Sequence, residues 1–171
     1  APGSNFHDVL GEVDLGSSYG LSVASDKPVA SETITAVIRG AEAQNPASLY
    51  FLGLLRLYGQ GGLPVDPEKA FANIQLAADL GHEEAQMALG LLLVHGHGVD
   101  KSAATALAWL RRAAMAGNRE SQWLLGRLLY SGESGAAAGA EGQEKSFKEA
   151  VRWFRAAAEQ GSHQAAYYLG L

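Results

Sequence analysis

The dipeptide Leu-Gly returns at Leu52-Gly53, Leu89-Gly90, Leu125-Gly126 and Leu169-Gly170, at spacings of 37, 36 and 44 residues. Four residues before each leucine stands a small residue: Ser48, Ala85, Ser121 and Ala165. Later in each period come Ala77-Ala78, Ala113-Ala114 and Ala157-Ala158, each followed three residues on by a glycine, Gly81, Gly117 or Gly161. Several features held in phase over roughly 35–45 residues mark a repeated unit, and that period is the one used by stacked helix pairs.

The repeat accounts for an unusual composition. Gly (21) and Ala (30) supply 51 of the 171 residues. Placed in phase, most of these are positions where helices touch or loops reverse, while the run 135–142 and part of the N-terminal leader read as linker. Hydrophobic residues at 47% and charged residues at 18% are enough to bury a core. A net charge of −5 offers nucleic acid no basic face, so no nucleic-acid partner is expected. The absence of cysteine removes disulfides, thiolate metal sites and cysteine nucleophiles. No apolar run approaches the roughly 18–20 residues of a membrane span, so no membrane insertion is expected in this segment, and no signal peptide is visible. The length suits one structural unit.

Each period reads as helix, loop, helix. Ser48, Leu52 and Leu55 share a face at i, i+4 and i+7 of a first helix, and Gly53 permits a close backbone approach. A loop with Gly59 and Gly61, or Gly96 and Gly98, follows. Asp66, Ser102 and Ser146 then stand as N-caps of the second helix, with Pro67 at its first position and Glu149 completing a capping box with Ser146. The second helix carries Ala70, Ile74, Ala77 and Ala78 on one side, matched by Ala106, Leu110, Ala113 and Ala114 and by Ala150, Phe154, Ala157 and Ala158. Gly81, Gly117 and Gly161 suit left-handed C-caps, after which His82, Asn118 and Ser162 open the next first helix.

The pattern A-x-x-x-L-G, then G-x-G-V, then a tryptophan-bearing helix ending A-A-x-x-G, resembles the Sel1-like repeat, a relative of the tetratricopeptide repeat. It is carried by Ala85, Leu89-Gly90, Gly96-His97-Gly98-Val99, Ala106, Trp109-Leu110, Ala113-Ala114 and Gly117, and again by residues 148–161. The resemblance implies an all-α, right-handed solenoid of antiparallel helix pairs. It covers residues 45–171, as repeats 45–81, 82–117 and 118–161 and the first helix of a truncated repeat at 162–171. In the third repeat a flexible loop insertion is expected near 131–145. Residues 1–44 form a degenerate repeat, with Leu15-Gly16 and Tyr19 in register and a second helix over 31–44 turning Val37 and Ala41 inward; the alternative is a leader plus one capping helix.

The catalytic inventory is bare. Ser48, Ser102, Ser121 and Ser146 have packing or capping roles, Glu83-Glu84 suits a helix N-terminus, and no phosphate-binding glycine loop opens a helix. His95 and His97, joined by Asp100, are the one set of metal-ligand type, against the plain reading of two exposed loop histidines. No cofactor is expected.

Two residues after each small position of the first helix stand Tyr50, Met87, Trp123 and Tyr167, extended by Leu57, Val94 and Tyr130. On a concave surface such a column would suit a peptide or partner helix, with Arg56, Tyr58, His95 and Arg127 giving polar specificity. The competing reading is inter-repeat core. The expectation is a non-enzymatic scaffold or adaptor binding a protein or peptide partner. The resemblance implies settings such as ubiquitin-ligase quality control, cell-wall polymer synthesis or bacterial signalling. The alternatives are a bacterial secreted or envelope member with β-lactamase-like hydrolase activity, and a structural oligomeriser forming a homodimer through the C-terminal end.

Overall fold

A computed structural model describes residues 29–133 and 139–171. Leu15, Gly16 and Tyr19, the register positions of the expected degenerate repeat, lie outside the described residues. Eight α-helices are found in the described chain: α1 (Ser31–Glu42), α2 (Pro46–Tyr58), α3 (Pro67–Asp79), α4 (Glu83–His95), α5 (Ala103–Met115), α6 (Arg119–Ser131), α7 (Gly139–Glu159) and α8 (His163–Leu169). The chain divides into two compact units, 1–101 with α1 to α4 and 102–171 with α5 to α8, where one unit was expected. Within each, every helix packs on its sequence neighbours. Contacts in a repeat array are local, so no single core has to embrace all of it.

Local chemistry sets the helix boundaries. Asp66 accepts from Lys69 N at 3.0 Å and Ser102 from Thr105 N at 3.4 Å, capping α3 and α5 as expected. At each corner between a second helix and the next first helix, the chain closes one helix and opens another within three residues. Gly81 (φ 92°) donates to Ala78 O and His82 N to Ala77 O, satisfying the last carbonyls of α3, and the His82 side chain then accepts from Ala85 N to start α4. Gly117 and Asn118 repeat this between α5 and α6, and Gly161 and Ser162 between α7 and α8. Between α1 and α2 the same corner is made by Gln44 and Asn45.

Two of the Leu-Gly pairs, Leu52-Gly53 and Leu125-Gly126, mark where a second helix presses on a first one. A Cβ on Gly53 would lie 2.5 Å from Ile74 Cγ1, and one on Gly126 would lie 2.8 Å from the Phe154 ring. Each glycine is therefore a notch for the large residue of the following helix, seated among the fully buried alanines Ala70, Ala77 and Ala78 in the first case and Ala150 and Ala157 in the second.

The third repeat departs from expectation. The stretch expected as a loop over 131–145 is helical from Gly139, so Ser146 lies inside α7, buried, and does not cap it. Ala140, Glu141, Gln143, Glu144 and Lys145 are good helix formers, and Glu144 pairs with Lys148 one turn on at 2.6 Å. That local preference outweighs the capping signal at Ser146. The second helix expected over 31–44 is present as α1, with Val37 buried and Ala41 half-buried.

Candidate protein-binding surface

The residues of the expected column meet different fates. In the first unit Tyr50 is 1% exposed and Met87 5%, so both are core; the Tyr50 ring lies 4.9 Å from that of His82. Leu57 is buried as well. Arg56, Tyr58 and His95 are half-buried, and Arg56 Nη1 donates to Asn73 Oδ1 across α2 and α3. In the second unit Trp123 is buried, with the Arg127 guanidinium 5.5 Å from its ring centre. Large apolar side chains at these positions were taken up by packing, which corrects the expectation that Tyr50, Met87 and Trp123 offer a contact face.

Tyr130 and Tyr167 are exposed, at 53% and 80%, and they belong to an aromatic surface wholly within the second unit. Tyr130 stands in the last turn of α6, 5.7 Å from Phe147 of α7, 5.7 Å from Tyr168 of α8 and 6.3 Å from Phe154. Phe154 is the buried floor and stacks on Tyr168 at 5.0 Å with the planes 18° apart. Tyr167 sits edge-on to Tyr168 at 6.0 Å. Tyr130, Phe147, Tyr167 and Tyr168 are thus exposed around a buried aromatic base. Such a surface takes apolar side chains while the phenol hydroxyls offer hydrogen bonds at the rim.

Phe147 and Tyr168 were not anticipated as surface residues. Phe147 and Phe154 are seven residues apart on α7, both within the helix expected after Ser146, yet Phe147 is exposed and Phe154 buried. Two buried glutamines were missed too. Gln86 and Gln122 each donate a side-chain amide to a carbonyl near the end of the preceding helix, Ala78 O at 3.3 Å and Ala114 O at 3.2 Å, and Gln122 also accepts from Gln160 at 2.8 Å.

At the glycine loop, His95 and His97 are half-buried and Asp100 is exposed. Burial pushes the His97 imidazole below its ordinary value. Among the described residues no three His, Cys, Asp or Glu side chains gather in a way that could hold a metal ion. No helix among them is long and apolar enough to cross a membrane.

The sequence model of the Sel1 repeat matches residues 46–82, 83–118 and 119–162. The chain belongs to the Sel1 repeat family. Its fold is similar to the crystal structure of a Sel1 repeat protein from Oxalobacter formigenes, at TM-score 0.67 and 28% identity over 81% of this chain and 97% of that one. It also resembles a protective antigen of uropathogenic Escherichia coli strains displaying an SLR fold, at TM-score 0.58 and 24% identity, where 82% of this chain matches 36% of the longer antigen; that likeness concerns the fold alone. No curated protein matches the chain. Sel1 repeats are thus set out as all-α helix pairs, and repeat domains of this kind generally mediate protein interactions.

Proposed function

We propose that this Sel1 repeat chain is a non-enzymatic interaction scaffold that holds a partner protein or peptide on the aromatic surface of its second unit. The observation that carries the reading is the group Tyr130, Phe147, Tyr167 and Tyr168, exposed around a buried Phe154. Solvated aromatic rings held in one place bring large contact area at little entropic cost, the property that makes such residues dominate binding energy. An adaptor role in a quality-control or signalling complex is the setting this reading favours.

The test is capture of the partner from native cells with the wild-type chain and with Tyr130, Tyr167 and Tyr168 changed to alanine. Loss of one defined partner with the fold retained supports the surface. Undiminished recovery by the folded triple variant overturns it.

A second copy is the other occupant that the same aromatic surface favours. Light scattering at high micromolar concentration is expected to show weak self-association that the triple variant loses. A strictly monomeric mass for the wild type excludes it.

A further inference from the structure

Four first helices begin with a side chain accepting the backbone N–H three residues on: Asn45 from Ser48, His82 from Ala85, Asn118 from Ser121 and Ser162 from Ala165. Three of these caps are neutral oxygen acceptors at any ordinary pH. The fourth is an imidazole, whose Nδ1 accepts only while it carries no proton. His82 Nδ1 lies 3.3 Å from Ala85 N and 3.3 Å from the Glu84 carboxylate Oε2. The two contacts exclude each other. The neutral ring, with its proton on Nε2, accepts from Ala85; the protonated ring has no Nδ1 lone pair and instead donates to Glu84.

We propose that His82 is a proton-operated cap: proton uptake moves Nδ1 from the Ala85 amide to the Glu84 carboxylate and uncaps α4 where it joins α3. The position gives the exchange leverage. The backbone of His82 closes α3 through Ala77 O, its side chain opens α4, and its ring packs on the buried Tyr50 of α2, so three helices meet at one titratable residue. Among the described residues, the titratable groups near it come from α2, α3 and α4. Glu84 and Glu83 in the first turn of α4 both favour the charged ring. The Tyr50 phenol is the titratable group against it from α2, and α3 ends in the exposed carboxylate of Asp79. Burial outweighs the two glutamates and holds the imidazole below its ordinary 6.5, which keeps the cap closed at neutral pH and opens it in mild acid.

The full chain, 15N-labelled, is titrated from pH 7.5 to pH 5 while NMR follows the His82 ring nitrogens and the Ala85 amide. The Ala85 amide is expected to shift with the His82 midpoint and, after correction for intrinsic rates, to lose protection from exchange by about tenfold, the loss appropriate to one N-cap. His82→Asn, which places here the residue found at Asn45 and Asn118, is expected to fold and to hold Ala85 protection constant across the range. Glu84→Gln is expected to lower the His82 midpoint by removing the negative charge that favours the protonated ring. An Ala85 amide indifferent to His82 titration, or an equal loss of protection in the His82→Asn variant, overturns the proposal. Neither outcome touches the aromatic surface of the second unit.

Discussion

Arg111 of α5 holds Glu149 of α7 in a two-point grip, Nε to Oε1 at 3.0 Å and Nη2 to Oε2 at 2.9 Å, and Trp153 Nε1 donates to the same Oε1 at 3.3 Å. Thirty-eight residues separate the pair, so it ties the second helices of two successive repeats directly to each other. Both side chains are more than a third exposed or close to it, and solvent screens much of the attraction. Arg111→Ala is therefore expected to cost about 1 kcal/mol or less in chemical denaturation. Hydrogen bonding by Arg111, then by Trp153, outweighs burial and holds the Glu149 carboxyl below its ordinary 4.5. A carboxylate whose value falls on folding stabilises the native state fully above its unfolded value and loses that contribution as the pH drops through the folded one. Melting temperature should then fall less steeply in Glu149→Gln than in wild type below about pH 4.5.

Gly126→Ala sets a methyl group against the Phe154 ring at 2.8 Å and the Ala150 carbonyl oxygen at 3.2 Å. Overpacking at such a site is expected to cost about 1–3 kcal/mol in urea unfolding. Combined with Phe154→Leu, the residue type of Leu110 in the preceding repeat, the cost should be clearly less than the sum of the single changes, since the ring is half of the collision.

Gln44 (φ 56°) is the one described residue other than glycine in the left-handed region, and it fills the corner position held by Gly81, Gly117 and Gly161. An L side chain there costs about 1–2 kcal/mol, while glycine gives back about 0.4–1 kcal/mol through its freer unfolded chain. Gln44→Gly should raise the melting temperature by about 1–3 °C. Gly117→Ala is expected to act in the opposite sense for backbone reasons alone, because nothing lies within 4 Å of the added Cβ.

Ser121 is fully buried, and its hydroxyl has no hydrogen-bond partner among the described residues. Ala85 and Ala165 hold the corresponding positions of the neighbouring repeats and are likewise fully buried. Ser121→Ala removes an unpaired polar group from a site already shaped for alanine, and a gain of about 1 kcal/mol in thermal or urea unfolding is expected.

The repeat pattern made much of the fold legible. Asp66, His82, Ser102, Asn118 and Ser162 cap helices where the sequence placed caps, because an N-cap needs only a polar side chain and the three residues after it. Ser146 failed as a cap for the same local reason turned round: Ala140 to Lys145 favour helix, and a helix already running past Ser146 leaves it no orphan amides to accept. The surface was far less legible. Tyr50 and Tyr167 occupy the same place in their repeats, yet one is 1% exposed and the other 80%.

The sequence by itself determined the helices, their register and their notches, since period, small residues and turn glycines act within a few residues of each other. Only the tertiary structure decided which aromatic residues became core and which became surface. Exposure depends on what later helices cover, and identical repeat positions receive different neighbours along the array. The Gly and Ala residues that are set in phase thus specify how helices approach, and the tyrosines and phenylalanines of α6, α7 and α8 acquire their role only once that approach is complete.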